Sequence, residues 1–188
     1  MNIFYLHEDP KTCAEMHNDK HVVKMIIEYA QLLSTAHRVL DGVPYIDKTA
    51  NGRSIKRWRL DLAREPQLMK ASHINHPSAI WCRDNMQNYL WLYTLLKHLC
   101  DEYTHRYGKV HACSRLLNVL RFAPTNIPLN DFYPPTPAMP TELKVMAENP
   151  LPGRKYDSLK SYHKYYIEAK ASFAKWKNRS IPEWFVTT

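Results

Sequence analysis

Glycine is scarce, with only 4 in 188 residues. A Walker loop or a dinucleotide fingerprint needs clustered glycines, so neither can be built here. No apolar run approaches the roughly 18 residues of a membrane span, and none is expected. The 4 cysteines, Cys13, Cys82, Cys100 and Cys113, include no CxxC and no paired spacing. With no signal-like segment ahead of them, they fit free, buried thiols in a reduced cytoplasmic protein. No GxSxG presents a serine nucleophile. Acidic residues are the minority: 18 Asp and Glu against 26 Lys and Arg give a net charge of +8. That excess favours an anionic partner, most simply nucleic acid.

Hydrophobic residues make up 45% and aromatics 12% of the chain, a globular composition. At 188 residues it suffices for one sizeable core and is short for two. Residues 1–188 therefore read as a single, mainly α domain of five or six helices.

The chain is organised around His17–Arg38. At roughly 100° per residue, His17, His21, Lys24, Glu28, Gln31 and Thr35 share one narrow stripe. Lys20 and Arg38 flank it, and nearly all the rest of the wheel is apolar, including Val23, Ile26 and Ile27. A helix apolar over most of its circumference is largely buried, so its polar stripe should line a cleft or a buried network. His17, His21, Lys24 and Glu28 are thus expected to converge on one partly buried polar pocket.

Met1–Leu6 is apolar and β-prone, an edge strand or an extended arm packed on the core. Asp9-Pro10 starts a helix running to about Asn18, and Asp19 caps the central one. Val43–Asn51 reads as a loop closed by Asn51-Gly52. Lys56, Arg57, Trp58 and Arg59 follow, cations around an indole. They suit a phosphate-contacting surface whose aromatic stacks on a base, or equally an amphipathic helix with Trp58 in the core. The longest helix spans about Pro77–Tyr107, stopped by Gly108, with His76 and Arg83 at its N-terminal end near the pocket rim. A shorter one covers Ala112–Phe122. Residues 123–153 carry 8 of the 13 prolines and form a long Pro-rich wrap or loop. Asp157 caps a last helix with Tyr162 and Tyr166 inward, and the aromatic tail through Trp184 docks back on the body.

Three chemistries compete. His17 and His21 at i and i+4 could share a metal, giving a metal-dependent hydrolase or nuclease, although Lys20 and Lys24 would crowd a dication with positive charge. Lys24 beside Glu28 suggests another use: a desolvated amine next to a carboxylate is what imine-forming base excision requires. Catalytic candidates on this reading are Lys24, Glu28, His21 and His17, with no metal or other cofactor. Nucleic-acid contacts fall to Lys20, Lys56, Arg57, Trp58, Arg59, His76 and Arg83. The third option is a nucleic-acid-binding module without catalysis.

The runs DKHVVKMIIEYAQLLSTAHRVLDG, NHPSAIW and EYTHRYGKVH resemble a family of small phage-encoded proteins. More distantly, Asn75-His76-Pro77 and the segment Tyr162–Trp184 make the chain similar to the pyrimidine-dimer DNA glycosylase/AP lyase family. That resemblance implies excision of a damaged or modified DNA base through an imine, without metal, in the cytoplasm of a host cell. It matches Glu28 to the family's catalytic glutamate. The family nucleophile is the α-amine of a small second residue; here residue 2 is Asn, which keeps Met1 in place. The nitrogen must then come from Lys24 as first choice, the Met1 α-amine as second or Lys20 as third.

Overall fold

The computed structural model describes residues 1–186. Within them the protein is mainly α, with six α-helices and two small antiparallel hairpins. Helices α1 (Pro10–Met16) and α2 (Asp19–Asp41) lead into a hairpin of β1 (Val43–Lys48) and β2 (Ser54–Arg59). Helices α3 (Pro77–Asp84), α4 (Met86–Tyr107) and α5 (Leu117–Leu120) come next. A second hairpin, β3 (Val145–Leu151) and β4 (Arg154–Asp157), precedes α6 (Ser158–Ala169).

Side-chain caps set the helix starts. Asp9 accepts the Thr12 N–H at 2.8 Å, with Pro10 in the first turn of α1. Asn18, not Asp19, caps α2 by accepting the His21 N–H at 3.0 Å. Asp157 caps α6, as its sequence position predicts. The expected 77–107 helix is instead two. Asn85 adopts extended backbone and accepts the Asn88 N–H at 2.9 Å, restarting the helix. A short amide side chain competes with the backbone for hydrogen bonds, which the unbroken apolar spacing from Cys82 to Tyr89 conceals. Gly108, at φ 64°, stops α4.

Other expectations are corrected. Of the two forms expected for Met1–Leu6, the arm is the one that forms: Ile3–Leu6 are buried and their amides find side-chain partners, Phe4 N–H on Tyr29 Oη and Leu6 N–H on Cys13 Sγ. Residues 43–51 are not a loop: Val43–Lys48 pairs with Ser54–Arg59 in register from Val43 opposite Arg59 to Lys48 opposite Ser54. Gly42 starts this hairpin because a Cβ there would lie 2.8 Å from the Cβ of Trp58. The 112–122 segment holds a 3₁₀ turn and the single turn of α5. The Pro-rich stretch is not one loop either, since it includes a 3₁₀ turn at Thr141–Leu143 and most of the second hairpin.

One apolar cluster joins the arm, α2, α4 and α6. Arg38 is buried at the end of α2 and donates to the carbonyls of Trp58, Leu68 and Met69 and to Glu65, which ties the first hairpin and its following turn to the core. His37 and Tyr89 link α2 to α4 at 2.8 Å. The tail docks as its aromatics predict: the Trp176 indole donates to the Met16 carbonyl, and Trp184 stacks on His163.

Candidate active site

The four stripe residues do not meet in one pocket. His17 is the C-cap of α1, and the extended Asn18 separates it from α2, so the helix break falls between His17 and His21. His17 is fully buried, with Nδ1 on the Cys13 carbonyl at 2.7 Å and Nε2 on Tyr29 Oη at 2.8 Å. His21 stacks on Phe4 and bonds Tyr166 Oη at 2.6 Å through Nδ1. Burial pushes His17 down to about 4 and His21 down to about 3, the latter helped by the positive charges of Lys170 and Lys24. Both are neutral core histidines; His17 uses both ring nitrogens internally and His21 its Nδ1. This removes the i,i+4 geometry on which the metal reading depended. Among the described residues, no cluster of three or more His, Cys, Asp or Glu is placed to hold a metal ion.

One turn further along α2 the picture changes. Lys24 is exposed, with 68% of its side chain accessible, and pairs with Glu28 Oε1 at 3.3 Å. The desolvation expected of Lys24 is therefore absent. Glu28 is mostly covered, and its second oxygen accepts the backbone N–H of Asn2 at 3.2 Å. The arm thus crosses the polar face of α2 and brings the start of the chain to the carboxylate. Three contacts hold Asn2 there: its Nδ2 donates to the Ala138 carbonyl at 3.0 Å, its Oδ1 accepts the Ile3 N–H at 3.0 Å, and the same Oδ1 accepts the Tyr162 hydroxyl.

His76 completes the group from the N-cap of α3. Its pKa is lowered by burial and then by the positively charged α-amine of Met1, against the opposing pull of Glu28. Since Nδ1 accepts the Ser78 N–H, the neutral ring carries its proton on Nε2. Beside it, His73 has a left-handed backbone, φ 49°, unusual for a non-glycine residue. Gln31 and Thr35 continue the stripe onto the 70–72 segment: Gln31 donates to the Lys70 carbonyl, and Thr35 Oγ1 accepts the Ser72 N–H. Arg83 is spent on the Ile74 carbonyl at 2.7 Å. Lys20 lies over the Phe173 ring at 4.5 Å.

Strand alternation divides the expected basic surface. Lys56 and Trp58 share one face of the ribbon with Ile46, while Arg57 and Arg59 share the other with Tyr45 and Asp47. Trp58 is only 9% exposed and cannot stack on a base. Arg57 is drawn toward Asp47 at 3.7 Å, which leaves Lys56 and Arg59 as the exposed cations of the four.

Asn2 and Tyr162 enter the site without having been expected there. The only sequence signal was a polar residue opening an apolar run. A cleft of about 800 Å³ opens elsewhere, between Tyr133–Pro137 and the second hairpin. Tyr5 lines it but neither Glu28 nor His76 does.

Fold and site together define a basic, mainly α protein that carries an amine–carboxylate pair on one helix face. Over residues 1–114 the chain matches the family described as pyrimidine dimer DNA glycosylase, and it belongs to that family. Neither a curated protein nor a solved structure matches it. Among the described residues, no helix is long and apolar enough to cross a membrane.

Proposed function

We propose that this protein excises a damaged pyrimidine from DNA, using an amine beside Glu28 as nucleophile. The observation that carries the reading is the 3.2 Å bond from the Asn2 amide to Glu28, which seats the first residue's α-amine within the charge field shared by Glu28 and His76. Family membership supplies the substrate class.

On this reading the amine nitrogen bonds to the sugar C1′ as the C1′–N glycosidic bond breaks, and the base departs with the electron pair and takes up a proton. The Glu28 carboxylate stabilises the positive charge that develops at C1′ and takes up the proton lost from nitrogen. Ring opening then leaves an imine, and β-elimination of the 3′ phosphate from it is the AP lyase step. The nucleophile order expected from sequence, Lys24 before Met1, is reversed: Lys24 is exposed and held by Glu28, whereas the arm folds over the stripe. Exposed Lys56 and Arg59, with Lys20, would contact phosphates.

Incubating the protein with duplexes carrying a pyrimidine dimer or an abasic site, with borohydride present, tests this. A covalent protein–DNA adduct that Glu28→Gln abolishes is expected. DNA binding without any adduct would return the protein to a non-catalytic binding module.

A further inference from the structure

The arm has no strand beside it, and side chains supply the missing partner. The amides of Asn2, Phe4 and Leu6 donate in order to Glu28 Oε2 at 3.2 Å, Tyr29 Oη at 3.2 Å and Cys13 Sγ at 3.4 Å. Every second residue facing its partner is the pattern of a paired strand, built here on side-chain acceptors. Two carbonyls are taken as well: Phe4 accepts the Cys13 thiol at 3.2 Å, and Leu6 accepts His163 Nε2 at 2.9 Å. Glu28 and Tyr29 are consecutive on α2, so the carboxylate and the anchor of the arm belong to one element. Tyr29 is free to accept because its own proton is committed. A carbonyl only accepts, so His17 Nδ1 carries the proton given to Cys13, and the bare Nε2 takes the Tyr29 hydroxyl proton. The hydroxyl oxygen is left for Phe4.

We propose that Tyr29, oriented by His17, is a positioning residue for the reaction: it sets the register of the arm and with it the place of the α-amine at Glu28. The proposal rests on the excision reading above and adds what holds the nucleophile in place. Glu28 alone cannot choose the register, since any amide of the arm could donate to a carboxylate. A slip of one residue turns every side chain to the opposite face, and a slip of two puts Phe4 where Asn2 stands. Either would carry the α-amine past the carboxylate by about 3.3 Å per residue. Phe4 makes the choice sharp. Its ring stacks on His21 with centroids 4.1 Å apart while its amide meets Tyr29, and neither Asn2 nor Leu6 has a ring to take that place. Tyr29 and His17 are fully buried, so they act through the arm and not on the substrate. A core requires neither polar group, because burying an imidazole and a phenol costs free energy that only their hydrogen bonds offset.

Tyr29→Phe removes one hydroxyl and keeps the ring. With an abasic duplex at saturating concentration and borohydride present, we expect its single-turnover trapping rate to fall at least ~tenfold, since small displacements of reacting atoms cost that much. The dissociation constant for the duplex and the fraction of protein finally trapped should keep their wild-type values. The first reports the DNA surface and the second the folded fraction, so a merely structural role would move the fraction and not the rate. Tyr89→Phe is the matched control. It deletes a buried hydroxyl bonded to His37 and to the Leu120 carbonyl, with no hydrogen bond to the arm, and should trap at the wild-type rate. A second measurement needs no turnover: amide hydrogen exchange on the N-terminal peptide should quicken over residues 2–6 in Tyr29→Phe and not in Tyr89→Phe. A wild-type trapping rate in Tyr29→Phe overturns the proposal, and so does a slower rate with the arm as protected as before. If the wild type traps no abasic duplex, the excision reading has failed; exchange then decides alone whether Tyr29 holds the register of the arm.

Discussion

The Tyr162 hydroxyl donates to Asn2 Oδ1, so a helix near the end of the chain fixes the residue whose amide reaches Glu28. The part of the chain that matches the family ends at residue 114. The clamp on the arm, Ala138 and Tyr162, lies beyond it. The site is therefore assembled from both ends of the sequence, with α6 bracing the arm.

Removing the brace should affect the reaction more than the fold. Tyr162→Phe deletes one buried hydroxyl at a cost of about 1–2 kcal/mol, while releasing Asn2 from one of its three anchors. We expect a drop in melting temperature of a few degrees and a disproportionate fall in the trapping rate. Equal trapping by both proteins would show that arm position does not matter.

Three buried histidines make stability depend on pH, His37 being pushed down to about 4 like His17. In the fold, His17 and His21 lie at about 4 and about 3, both below their ordinary 6.5. The unfolded chain therefore binds more protons below pH 6.5. Their contribution is complete above about pH 6.5 and is lost progressively as the pH falls through 4. Urea midpoints measured from pH 7.5 to 4 should decline along that course. A replacement of His21 that still folds should flatten the decline, and a flat wild-type profile would contradict the burial argument.

Arg106 has no exposed side chain and bonds Glu102, Asp19 and the Glu15 carbonyl. Arg179 also grips Glu102, at 2.8 Å. Burial alone would raise the Glu102 pKa, but the two guanidiniums hold it below the ordinary range. Arg106→Ala leaves these acceptors in a covered site and should cost about 3–5 kcal/mol in chemical denaturation. Arg179→Ala, which leaves Arg106 in place, should cost less.

The first hairpin separates charge from packing. Lys56→Ala and Arg59→Ala should each reduce the slope of log affinity against log salt by about one, if each meets a phosphate. Trp58→Ala should instead destabilise the fold by about 3 kcal/mol through lost core volume and leave that slope unchanged. A salt slope altered by Trp58 alone would reverse the assignment.

Much of this was legible in the residues. The 3.6 period marked α2 and α6, Asp157 marked the start of α6 and Gly108 the end of α4, and the Lys24–Glu28 spacing gave the pair that forms. The histidines misled because a helical wheel assumes an unbroken helix; Asn18 ends the regularity at the point where His17 would join. The β1–β2 hairpin was marked by Asn51-Gly52 between short runs, but the dense cations obscured its alternation. Nothing local could show that Met1–Leu6 lies over α2, because that path is set by Ala138 and Tyr162, more than 130 residues away. Ile27, 48% exposed, looked like core for the same reason, since periodicity reports apolar character and not which neighbours arrive to cover it.

The central claim is that the reacting amine is the one the arm carries to Glu28. Peptide mapping by mass spectrometry of the borohydride-reduced adduct tests it most directly. The account predicts the sugar remnant on the α-amine of the N-terminal peptide, with Lys24→Ala still forming the adduct and an N-terminally blocked protein failing to. A remnant on Lys24, or an adduct that survives N-terminal blocking, contradicts it.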